Sequence, residues 1–211
     1  MMIYWVVYYL SVFSPLPPVI IGVRQRNNLL WWYAIIGLLF DIAVTLVIRF
    51  GHFPHKDTSI AVAQNTFLVT EFLLISLYYR KRILKKKYFD NCIIPAAIAL
   101  FIGSVLYTKN AALNFVGGAG FDFICIFYAV AGFYSLLKKS GLVFPARSAF
   151  FWVNVAFLIY CSGNFFIFLF TEYLMQSSAE LSRQFWVLHN ILNIVFSIFI
   201  TIAFTKKIHE E

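Results

Sequence analysis

Charge is what this sequence has least of. Asp, Glu, Lys and Arg make up 12% of its 211 residues, where soluble domains carry about a quarter, and that excludes an ordinary water-soluble fold. Cysteine is scarce too. Cys92, Cys125 and Cys161 are odd in number and show no CxxC spacing, so neither a disulfide framework nor a zinc knuckle is indicated. His189 is the single histidine within a long apolar run, which excludes haem held between two facing histidines and a ceramidase-type zinc hydrolase with its several intramembrane histidines. The last apolar run holds no lysine for a retinal Schiff base, and no GxSxG or serine–histidine–acid pattern supports acyl transfer. Met1–Trp5 lacks the basic start of a cleavable signal peptide, so the first apolar run is read as retained.

What the sequence has instead is apolar length: 62% hydrophobic and 20% aromatic residues. A membrane-spanning helix needs about 20 such residues. The expected fold is therefore all-α, a polytopic membrane protein whose single domain over 1–211 is a bundle of seven transmembrane helices. The spans are placed at about 3–23, 29–48, 60–79, 92–107, 115–137, 149–170 and 184–205. Pro15, Pro17 and Pro18 interrupt the first, and Trp31-Trp32-Tyr33 opens the second at a membrane interface. A small-residue stripe in the fifth, Gly118, Asp122, Cys125, Ala129 and Gly132, suits close helix packing.

The formal net charge of +8 does not indicate nucleic acid, because the basic residues lie in loops between apolar runs. One side receives Arg24, Arg26, the six basic residues of 80–87, Lys138, Lys139, Arg147, Lys206 and Lys207. The other receives only Arg49, Lys56, Lys109 and Arg183. The positive-inside rule then puts the N-terminus outside and the C-terminus in the cytoplasm.

Polar residues inside the spans are the candidate site. Trp186, His189, Asn190, Asn193 and Ser197 recur at helical spacing along the last span. Asp41 with Thr45 one turn on, Gln64 with Phe67 and Glu71, Asp122, and Asn164 come from four others, and the topology places them between mid-membrane and the outer leaflet. Asn154 lies apart, nearer the cytoplasm. An ionisable side chain at such depth costs about 2.5–3.5 kcal/mol, so Asp41, Glu71 and Asp122 need partners or a protonated state. As a set, Asp41, Glu71, Asp122, Asn164, Trp186, His189, Asn190 and Asn193 form the candidate ligand-binding residues; singly, each also serves as interhelical glue. No catalytic residue, metal or cofactor is assigned. His52 and His55 are too short a pattern for a metal site.

Several stretches carry a resemblance: Ser14-Pro15-Leu16-Pro17 with Ile21-Gly22 and Arg26, Thr70-Glu71-Phe72-Leu73-Leu74, Phe151-Trp152-Val153-Asn154, Tyr160-Cys161-Ser162-Gly163-Asn164, and Trp186-x-x-His189-Asn190-x-x-Asn193. Across the whole chain the sequence resembles a family of small seven-helix bacterial membrane proteins similar to the membrane sensor regions of two-component histidine kinases. The resemblance implies a signalling association without a mechanism, in the bacterial cytoplasmic (inner) membrane. The partners expected are membrane lipids and a cytoplasmic or membrane signalling protein such as a histidine kinase. The leading expectation is a sensor that takes a small or lipid-like ligand in its outer half, the acids favouring a cationic group or a proton as stimulus. A small transporter or proton-coupled carrier using the same carboxylates is the alternative, and a membrane-embedded lipid-modifying enzyme a third.

Overall fold

The structure, a computed structural model, describes residues 2–25, 28–50, 56–83, 95, 111–139 and 145–206. The helices are α1 (Met2–Phe13), α2 (Leu16–Gly22), α3 (Leu29–Phe50), α4 (Lys56–Arg80), α5 (Ala111–Lys139), α6 (Ala149–Ser177) and α7 (Ala179–Thr205). Short 3₁₀ turns follow α2 and precede α6. No strand occurs among the described residues.

Among the described residues, five stretches are long and apolar enough to cross a membrane: Ile3–Gly22, Leu29–Phe50, Gly117–Lys138, Ala149–Phe170 and Ala179–Thr205. The chain is an integral membrane protein. The 25-residue helix α4, expected as the third span, carries Gln64, Asn65, Thr66, Thr70 and Glu71 and is not among these five. The span expected at 92–107 falls outside the described residues, Pro95 apart. Five helices run past their expected ends: α3 continues to Phe50, α4 starts at Lys56, α5 spans Ala111–Lys139, α6 continues to Ser177 and α7 begins at Ala179. Ser178 sets that last start, its hydroxyl accepting from the Leu181 amide at 3.0 Å.

The helices close a ring in the order α1/α2, α3, α4, α5, α6, α7 and back to α1/α2. The α5–α6–α7 half is tightly seated because small residues sit in its seams. Cys125, Ala129, Ala156 and Cys161 are all 0% exposed. A side-chain carbon added at Gly118 would lie 3.0 Å from Phe168, and one at Gly163 3.0 Å from Leu192 Cδ2. The outward faces, among them Ile3, Phe123, Phe127, Leu137 and Phe166, are apolar and exposed, as lipid contact requires.

The end of the ring holding the C-termini of α4, α5 and α7 is filled solid. Tyr79, Tyr128, Val153, Asn154, Phe157, Ile200 and Phe204 are buried together there. The Tyr79 hydroxyl donates to Asn154 Oδ1 at 2.8 Å, and Ser76 and Tyr128 share a hydrogen bond at 3.2 Å. Arg82 caps this end, its guanidinium 4.2 Å from the Tyr78 ring centroid.

The break in the first span has a definite repair. Pro15 has no amide hydrogen to give the Ser11 carbonyl one turn earlier. That carbonyl accepts instead from the Ser14 amide at 3.1 Å, the Ser14 hydroxyl at 2.8 Å and the Asn193 side-chain amide of α7 at 3.5 Å. Asn193 also donates to the Ser11 hydroxyl at 3.0 Å, and Ser14 and Ser197 share a hydrogen bond at 3.0 Å. At the end of α2, the Trp31 indole donates to the Val19 carbonyl at 2.9 Å.

Candidate functional site

Inside the ring, toward the end that holds Tyr4, Ile48 and Gln64, lies a cavity of about 400 Å³. That is within the usual size of small-molecule sites, roughly 300–1,000 Å³. Asp41, Glu71, Asp122, Trp186, His189, Asn190 and Asn193 all line it. Asn164 does not; it is 0% exposed in the α6–α7 seam and reaches the site through His189.

Each wall follows from a helical repeat. Along α3, Tyr33, Gly37, Asp41, Thr45 and Ile48 face inward at steps of four and three, and along α4 Gln64, Phe67, Leu68 and Glu71 do the same. Asp122 comes from the small-residue face of α5, and Trp186, His189, Asn190, Asn193 and Ser197 from α7. The sequence reading did not find the α1 wall, where Tyr4, Tyr8, Ser11 and Pro15 follow the same spacing. A tyrosine-rich N-terminal segment looks like apolar filler; the signal was the periodicity of its hydroxyl-bearing residues.

Within the expected interfacial cluster at 31–33, Tyr33 faces the cavity. Trp32 is exposed, but one residue on, a turn of about 100° carries Tyr33 inward. Its ring packs against Phe157 and Phe196 at centroid distances of 6.0 and 5.9 Å, and both Tyr33 and Glu71 line the cavity. Tyr33, Phe196 and Tyr160, the last 4.9 Å from the Phe196 ring, line the cavity.

The acids differ in their company. Glu71 shares the cavity wall with Tyr33. At Asp41 the Thr45 hydroxyl donates to the backbone carbonyl at 2.7 Å and itself accepts from Tyr8 at 2.8 Å, so this chain of bonds serves the main chain rather than the carboxyl. Asp122 is 1% exposed, and its Oδ2 has no hydrogen-bond partner among the described residues. No Lys or Arg is among the described residues that line the cavity.

His189 is fixed from one side only. Its Nδ1 lies 2.9 Å from Asn164 Oδ1, which can only accept, so Nδ1 carries the hydrogen and Nε2 is left as an acceptor. Trp186, Phe168 and Tyr160 surround the ring at 5.4, 5.9 and 6.3 Å. No three His, Cys, Asp or Glu side chains among the described residues are arranged to hold a metal ion. Asn154, read from the sequence as lying apart, is separate from the cavity, bonded to Tyr79 in the packed end.

No protein-family model, curated protein or solved structure matches this chain.

Proposed function

We propose that the protein is a membrane sensor module that takes a small or lipid-like ligand into this cavity. The observation that carries the reading is convergence: six stretches far apart in sequence each turn a polar or aromatic face into one space of ligand size. On this reading the bundle has seven spans, the fourth between 92 and 107, with the N-terminus outside and the C-terminus in the cytoplasm of a bacterial inner membrane. A cytoplasmic or membrane partner such as a histidine kinase receives the signal.

The route out of the cavity is the repair at Pro15. Ser11, Asn193 and Ser197 line the cavity and, with Ser14, join the broken first span to α7. An occupant that competes for Asn193 or Ser11 loosens that junction and favours a second arrangement of α1/α2 against α7. Amide hydrogen exchange over residues 11–23 and 190–200, with and without a saturating ligand from an amphipathic small-molecule library, tests this. The sensor reading requires ligand-dependent exchange there without ligand flux into proteoliposomes.

The same break supports a second reading, a small carrier. Interrupted helices beside a mid-membrane site are common in transporters, and Pro15 and Pro18 line the cavity. Ligand accumulation in proteoliposomes, lost in Glu71→Gln or Asp122→Asn, would replace the sensor by the carrier.

A further inference from the structure

We infer that the cavity's ligand is a free organic cation carrying N–H donors on an apolar body, that is, a protonated primary or secondary amine or an amidinium. The inference rests on the ligand-binding reading above and narrows it to one chemistry.

Three observations lead there. Carboxyl groups enter from α3, α4 and α5, and the described lining holds no Lys or Arg to oppose them. The Oδ2 of Asp122, on a side chain 1% exposed, has no hydrogen-bond donor among the described residues. A buried acceptor without a partner is costly, and a ligand N–H supplies what is missing. His189 Nε2 is a further acceptor in the same wall. Three carboxyl groups facing one space with no described basic residue in its wall match a donor-bearing cation and oppose an anion.

The rest of the surface selects the body. Phe40 and Phe67 stack at 4.1 Å with their planes 4° apart, and Phe168, Tyr160 and Trp186 surround His189. Aromatic faces favour both a cation and an apolar chain. A quaternary ammonium would satisfy the charge and the aromatic faces but not Asp122 Oδ2. An ethanolamine phospholipid also offers an ammonium, but it would bring a phosphate beside three carboxyls with no described basic residue to receive it.

Four probes of one shape separate these cases: phenylbutylammonium, phenylbutyltrimethylammonium, phenylbutanol and phenylbutyrate. They are added to the purified protein in nanodiscs, with calorimetry and melting temperature as readouts, once in phosphatidylcholine and once in phosphatidylethanolamine. The expected order is ammonium, then trimethylammonium at least about tenfold weaker, then alcohol, with butyrate not bound. Asp122→Asn should bring the two cations to within about threefold of one another. If the alcohol binds as well as the ammonium, the cavity is a receptor site but the cation inference is wrong. If the trimethylated probe binds best, the N–H requirement is wrong. Saturable binding by none of the four overturns both this inference and the ligand-binding reading. An ammonium that binds in phosphatidylcholine but not in phosphatidylethanolamine identifies a lipid headgroup as the occupant and overturns the free amine.

Discussion

Gly132 of α5 lies flat against the side chain of Asn154 in α6: a methyl group at 132 would sit 2.7 Å from Asn154 Nδ2. Asn154 is 0% exposed and held by Tyr79, so it cannot retreat. Gly132→Ala should destabilise the protein by about 1–3 kcal/mol, the usual cost of overpacking. Gly120 has open space where its side chain would be, and Gly120→Ala should be neutral or stabilise by up to about 1 kcal/mol through helix propensity. Unfolding in mixed detergent micelles gives both values, and equal effects at the two positions would remove the packing argument.

The three acids should behave differently from the packing residues. Asp41→Asn and Asp122→Asn keep shape and remove an ionisable group that costs about 2.5–3.5 kcal/mol to hold at such depth. Glu71→Gln does the same. All three should leave the melting temperature unchanged or raise it, as substitutions at functional sites often do. A drop of several degrees in each would mark the acids as structural glue.

His189 and Asn164 form a pair whose loss is asymmetric. His189→Ala leaves the Asn164 amide, 0% exposed, with neither of its polar atoms bonded. The cost should be about 1–3 kcal/mol. Nitrogen NMR of the imidazole should show hydrogen on Nδ1 in the apo protein. Hydrogen on Nε2 instead would mean that the Asn164 amide is turned over, donating to the ring.

Gly37 offers a direct view of the cavity's sign, since it lines the space and nothing lies within 4 Å of where its side chain would start. Cys125 and Cys161 are 0% exposed and make a silent background once Cys92 is replaced by Ala. In that background Gly37→Cys should react with a cationic methanethiosulfonate at least about tenfold faster than with an anionic one. Equal rates would show that the carboxyls do not set the local field. Reaction from the periplasmic side alone would also support the proposed sidedness.

The junction of α1 with α7 is testable as a pair. A double-mutant cycle on Ser11→Ala and Asn193→Ala should give a coupling of about 0.6 kcal/mol, and at most about 1.7, as for other intramembrane hydrogen bonds. Zero coupling would mean that the two side chains do not meet in the membrane.

Where the sequence was informative, the reason was periodicity. Asp41 with Thr45, Gln64 with Phe67 and Glu71, and the polar run of α7 each stand out because a polar residue on an apolar helix has few places to face. The small-residue face of α5 was equally legible. Tyr33 and the α1 tyrosines were not, because a tyrosine suits an interface, a core or a cavity, and only the neighbouring helix decides. Asn164 shares the depth of the other polar groups, but its rotation about α6 points it into the seam with α7. Spacing along one helix does not contain the azimuth of the next.

The repair at Pro15 also orders the protein in time. Ser11 and Asn193 are 182 residues apart, so at 5–20 residues per second the first span leaves the ribosome roughly 10 to 40 seconds before its cover is made. During that interval the Ser11 carbonyl has the Ser14 amide and hydroxyl but not Asn193. The last helix therefore acts as the latch of assembly, and a chain stalled before it presents an unfinished first span to the membrane's quality-control proteases.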